Sequence, residues 1–201
     1  MATAAAMARI RERARTASAS TAATRSLTSG EITLAKKVFV NSIDYSKVKI
    51  HHEKAVFFQP SRSGMTPNGE IYIDGTAVRD YSVATIDHKS FFIHEMTHVW
   101  QKQNGVLNPI LSALGNSIRH FFNYNSAYFY MLDSTRDLLD YRMEQQAQII
   151  EDYVRIDLFG TNPIVRSGTT YLENTGLNPA IRKTLYKDVL KKFLINPAYS
   201  K

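Results

Sequence analysis

Residues 91–101 read FFIHEMTHVWQ, with two histidines four apart and a glutamate directly after the first. Phe91, Phe92, Ile93, Met96, Val99 and Trp100 surround that polar triplet. The stretch predicts a helix, with Asp87 as its cap and Gly105 as its stop. Residues i and i+4 of a helix stand one above the other on one face, so His94 and His98 point two imidazoles at the same place. Zinc takes imidazole nitrogen at about 2.0–2.1 Å, so one ion can join both rings. Glu95 is turned about 100° from His94. Its carboxylate then lies beside such an ion, where it can take a proton from water. A chain shuffled at this composition holds the pattern in roughly 0.7% of cases, so chance explains it poorly. The apolar surround adds a second reason, because polar groups buried there without partners are costly.

Two histidines do not complete a site, since a catalytic zinc normally has three protein ligands and one open position. The longer motif H-E-x-x-H-x-x-G-x-x-H is not met, because Gln101 and Asn104 hold its last two defined positions. The next histidine is His120. A carboxylate from another helix is the better expectation, and a helix predicted over 134–159 carries DYRMEQQAQIIEDY (140–153). Its candidates are Asp137, Asp140, Glu144, Glu151 and Asp152, each of which also reads as an ordinary solvated residue. Glu144 leads because Ala147, one turn on, lets two helices approach closely; Glu151 and Asp140 follow, then His120. A tetrahedral oxyanion needs a further donor. Tyr128, Tyr130, Tyr141 and His120 are candidates for that contact or for substrate contact, although large aromatics mostly serve packing.

Composition narrows the alternatives. A chain of 201 residues, 44% hydrophobic and 21% charged, is a globular domain, alone or with a tail. No apolar run approaches the roughly 18–20 residues of a membrane span. There is no cysteine, so disulfides, thiolate metal sites and a cysteine nucleophile are excluded, and any metal falls to His, Asp or Glu. The net charge of +7 is concentrated at the start: five arginines against Glu12 put +4 of it in residues 1–30. These arginines lie in a low-complexity stretch without interleaved aromatics, so no specific nucleic acid is expected. Residues 1–26 read as a flexible Arg/Ala-rich segment. They lack the 7–15-residue apolar core of a secretory signal, while their Arg- and Ser-rich make-up also fits a mitochondrial leader.

The remaining elements follow from caps and periodicity. Thr28 and Glu31 fit a capping box at the start of a helix whose apolar face is Ile32, Ala35 and Phe39. Strands are predicted at 48–58 and 69–75, the second either offering an edge to which an extended peptide can add or lying centrally in its sheet. Asn108-Pro109 opens a third helix with Ile110, Leu111, Leu114 and Ile118 as its stripe. The 134–159 helix ends at Gly160, and Asn178-Pro179 opens a last helix, with Leu185, Val189 and Phe193 on one face, that stops before Pro197. Helices dominate and the strands cluster, which is the α+β class with a small sheet beside the H-E-x-x-H helix. His51, His52 and His88 carry no assigned role.

The blocks TSGEITLAKKVF (28–39), SKVKIH (46–51), MTPNGEIYI (65–73), FFIHEMTHVWQ and EQQAQIIEDY (144–153) occur in an order that resembles a family of bacterial zinc metallopeptidases. It is the toxin domain carried at the C-terminus of VgrG-type spike proteins of the type VI secretion system. The chain is more distantly similar to the H-E-L-T-H-x-x-Q peptidases of contractile injection systems. The likeness runs from about residue 27 to 153. It implies a zincin-like, specifically gluzincin-like, fold over 27–201, with one Zn²⁺ per chain on His94, His98 and Glu144 and with Glu95 as catalytic base. It further implies an antibacterial effector that cleaves protein or peptide substrates in the target periplasm and is neutralised in the producer by a cognate immunity protein. Such an effector is made in the cytoplasm without a Sec signal and exported by a contractile machine, with residues 1–26 docking on a spike or chaperone. The other readings are a hydrolase of peptidoglycan stem peptides and a non-catalytic zinc- or nucleic-acid-binding module. The missing cysteines weigh against a structural zinc site.

Overall fold

The computed structural model describes residues 24–57, 59, 63–75, 78–106, 127–163, 165–166, 169–174 and 176–199. The first helix, α1 (Ser29–Phe39), starts where the capping box requires. Thr28 Oγ1 accepts the Glu31 amide at 3.0 Å, and Glu31 Oε2 accepts the Thr28 amide at 2.8 Å. The same fully buried carboxylate accepts both terminal nitrogens of Arg25, at 2.8 and 2.7 Å, and the Tyr81 amide at 2.9 Å. Arg25 belongs to β1 (Thr24–Ser26), so the last three residues of the 1–26 segment lie in the sheet.

That sheet comprises β1, β2 (Lys49–His51), β3 (Gly64–Met65) and β4 (Ile71–Ile73), in the order β1-β2-β4-β3. β2 runs parallel to β4, with Ile50 opposite Ile71, and the other two pairings are antiparallel. Ile50, Ile71 and Ile73 face the core. Both predicted strands are shorter than their apolar patterns suggested. After His51 the chain bends, and the Gln59 side chain takes over the Ala55 amide at 2.8 Å. Of the edge and central positions open to 69–75, the chain takes the central one. β4 is interior, hydrogen-bonded on both sides, and the edges belong to β1 and β3.

The quoted stretch lies in α2 (Ile86–Gln103). Its cap is Thr85 rather than Asp87, whose carboxylate instead pairs with Arg155 at 2.8 Å. Gly105 ends the helix with φ of 66°, and the Val106 amide reaches back to Gln101 O at 2.9 Å. That is the backbone closure for which glycine is favoured. The predicted 134–159 helix is in fact two pieces. Asp133 and Asp137 bond forward to the amides of Thr135 and Leu139, which diverts the chain into a short 3₁₀ turn at Leu138–Asp140. The α-helix proper, α3, spans Met143–Asp157.

β5 (Val165–Arg166) and β6 (Thr169–Thr170) form a separate antiparallel pair. The last predicted helix is divided into α4 (Pro179–Val189) and α5 (Lys191–Ile195) by a break at Leu190. The break lets Val189, Leu190 and Phe193 all be buried. Phe193 meets Phe39 and Trp100 edge-on, at ring distances of 6.0 and 5.1 Å, and Trp100 Nε1 donates to Pro197 O at 2.6 Å. The class is α+β. Among the described residues no helix is long and apolar enough to cross a membrane. The predicted helix from Asn108 and the ligand candidate His120 lie outside the described residues.

Candidate metal centre

α2 is enclosed by the rest of the fold, every residue from Phe92 to Gln101 being buried. Phe92, Ile93, Met96, Val99 and Trp100 are fully buried, and His94, Glu95 and His98 are buried among them. α3 packs against α2 with Ala147 fully buried. Because α3 begins at Met143, Glu144 falls in its first turn, where the helix dipole favours a carboxylate.

The ligand atoms of His94, His98 and Glu144 lie within 4.8 Å of one another. Glu144 Oε2 is 3.4 Å from His94 Nε2 and 3.2 Å from His98 Nε2. The two rings stand edge to face with centroids 5.0 Å apart. Glu144 Oε2 is buried yet has no partner in hydrogen-bond geometry. An orphaned carboxylate oxygen facing two imidazole nitrogens is a donor set for one small cation, and the chemistry of two imidazoles and a carboxylate suits zinc.

The charges lead to the same conclusion. Burial depresses the His94 imidazole, but the Glu144 and Glu151 carboxylates outweigh burial and push it up to about 10. His98 is likewise raised, with burial opposed by Glu144. Burial would raise Glu144, but His98 and His94 hold it well below the usual carboxylate range. The carboxylates thus favour positive charge at the two rings, which a proton or a bound cation would supply. Glu95 is raised by burial, against the pull of His98, His94 and Thr66.

Glu95 is held from the sheet side. Thr66 Oγ1 donates to Glu95 Oε2 at 2.8 Å. A Cβ at Gly64 would fall 2.1 Å from Glu95 Oε1, so β3 can lie on this carboxylate only because residue 64 has no side chain.

No model of a known protein family matches the chain. The type VI secretion system spike protein VgrG2b of Pseudomonas aeruginosa is 38% identical to it over 171 residues, covering 84% of this chain. That alignment spans 15% of the spike protein's length. The solved effector domain of the same VgrG2b matches with a TM-score of 0.59 and 40% identity, over 68% of this chain and 76% of that domain. The chain belongs to the VgrG2b effector-domain family.

In this member of the VgrG2b effector-domain family, the remaining candidates are scattered around the cluster. Glu151 does not stand with Glu144. It lies behind His94, with Oε2 3.1 Å from Nδ1. Asp140 caps the 3₁₀ turn by accepting the Asp137 amide at 2.9 Å, and Asp137 receives the Tyr199 hydroxyl, also at 2.9 Å. Asp152 accepts from Tyr130 Oη at 2.7 Å. Two of the tyrosines proposed for an oxyanion are therefore engaged elsewhere. Tyr130 is buried between Asp152 and Tyr186, and Tyr141 donates to Met131 O at 3.0 Å. Tyr128 does reach the site, its ring 5.9 Å from His94 and 5.2 Å from Tyr171.

Gln101, to which the sequence pattern assigned no role, has its Oε1 2.8 Å from His98 Nδ1. Its place three residues after His98, on the same helix face, was the signal. Gly64 and Thr66 gave no such signal, because their distance from Glu95 is closed only by the sheet.

Proposed function

We propose that this domain is a zinc-dependent metallopeptidase and the toxic part of a type VI secretion effector. The observation that carries the reading is the convergence of His94 Nε2, His98 Nε2 and the unpartnered Glu144 Oε2 beside a separately held Glu95. Bound zinc supplies Lewis-acid polarisation of a substrate carbonyl and makes water acidic enough to attack near neutral pH. Glu95 takes the proton from the attacking water and delivers it to the departing amine nitrogen. Its buried position favours the protonated form that this relay passes through. Thr66 keeps the carboxylate aimed, and Tyr128, whose ring lies beside His94, would meet the developing oxyanion. An extended peptide would approach along β3, the edge strand lying against Glu95.

Family membership supports the effector part of the proposal. The domain would be carried out of the producing cell by the contractile machine, act on peptide bonds in the target periplasm and be held in check by an immunity protein. The Arg-rich segment ahead of β1 would attach it to a spike or chaperone, with 27–201 as the enzyme. Elemental analysis of the purified chain tests the core of this reading. We expect about one zinc per native chain, sharply less for Glu144→Ala, and full zinc without peptide hydrolysis for Glu95→Gln. No zinc in the native chain after zinc is added back would sink the proposal.

A further inference from the structure

Gln101 and Glu151 take no part in the chemistry just described, yet both are buried and both meet the ring nitrogen that faces away from Glu144. The orientation of Gln101 is fixed by its neighbours. Gln146 Nε2 donates to Tyr141 O at 2.8 Å, which leaves Gln146 Oε1 as an acceptor. Gln101 Nε2 donates to that oxygen at 3.0 Å and to Met143 O at 2.9 Å. With its amide nitrogen between two acceptors, Gln101 presents oxygen to His98, so His98 Nδ1 must carry the hydrogen. Across the site, Glu151 stands seven residues after Glu144 on the same face of α3. The helix thus sets one carboxylate in front of the His94 ring and one behind it.

We infer that Gln101 and Glu151 are positioning residues of the metal centre. They hold both imidazoles as the Nδ1–H tautomer, with the Nε2 lone pairs aimed at the ion. Gln101 has a second task, because Met143 directly precedes Glu144. One amide therefore ties the second histidine ligand to the start of the helix that brings the third ligand. The inference rests on the zinc reading above and goes beyond it, because outer partners of this kind govern how tightly a site holds its metal.

The test uses Zn²⁺ and the full chain, in competition with a chromophoric chelator. Glu151→Gln keeps size and an acceptor but loses charge, and Gln101→Met keeps length but loses all three side-chain hydrogen bonds. Each should weaken zinc binding by about 10–100-fold while one site per chain remains. Native-like zinc affinity in either variant would overturn the role of that residue. Should a variant fail to fold, the native protein still decides. Its long-range ¹H–¹⁵N imidazole spectrum with zinc should show both rings protonated at Nδ1, and a ring ligated through Nδ1 would overturn the inference. A native chain that binds no zinc would be a different failure, that of the metallopeptidase reading itself.

Discussion

Glu31 and Glu144 each stand in the first turn of an α-helix and are balanced in different ways. Glu31 of α1 is closed off by the chain itself, through the Arg25 guanidinium and the amides of Thr28 and Tyr81. Glu144 of α3 instead meets two imidazoles and keeps one buried oxygen without a hydrogen-bond partner. Both positions exploit the same helix-end electrostatics. A guanidinium is permanently charged and cannot yield its place, whereas an imidazole can give up its proton to a metal. The first arrangement therefore fixes β1 and α1 to each other. The second leaves a place that a proton or a divalent ion can fill.

The largest effect should come from breaking the closed arrangement. Glu31→Ala strands the Arg25 guanidinium and the Tyr81 amide, and is expected to destabilise the fold by about 3–5 kcal/mol in urea denaturation. Zinc stoichiometry should stay at its native value, and a loss below about 1 kcal/mol would erase the contrast between the two sites. Zinc removal probes the open arrangement. Free zinc a thousandfold above its dissociation constant should raise stability by about 4 kcal/mol, and that gain should vanish on adding chelator. Glu144→Ala should abolish the response, which differential scanning calorimetry would reveal.

Acidification sharpens the comparison further. In the zinc-free site the His94 ring is pushed up to about 10, so below that pH it holds a proton that zinc must displace. Zinc affinity should therefore fall as pH falls, by about tenfold per unit for each proton displaced. Calorimetric titration in buffers of different ionisation enthalpy would count the protons, and a pH-independent affinity would contradict the balance described. The smallest effect is expected at Thr66. Losing its hydrogen bond in Thr66→Val should lower turnover by about tenfold, on the scale of one bond to a charged group. Zinc content should be unchanged, and Thr66→Ser should restore most of the rate.

Much of this architecture is legible residue by residue. The capping box at Thr28 and Glu31, the glycine stop at Gly105 and the Asn178-Pro179 helix start all occur where the sequence places them. Each depends on backbone groups within a few residues. The misread starts have a local cause too, but one in which two local signals compete. At 134–142 the aspartates bond their own backbone and displace the helix that the apolar spacing suggests, and at 85–87 the threonine wins the cap while Asp87 goes to Arg155. The interior position of β4 could not be read from GEIYIDG, since strand order depends on which segments pair across the sheet.

By itself, the sequence determined that His94 and His98 share a helix face with Glu95 beside them, because the 3.6-residue turn is set by hydrogen bonds inside one segment. Only the tertiary structure decided which carboxylate meets those rings from the front, which stands behind them, and what holds Glu95. His94 and Glu151 are 57 residues apart, Glu95 and Thr66 are 29, and no local rule spans such distances. Their meeting depends on the packing of α3 on α2 and of β3 against α2. That packing is set by the burial of side chains from the whole core, so the motif alone could not specify it.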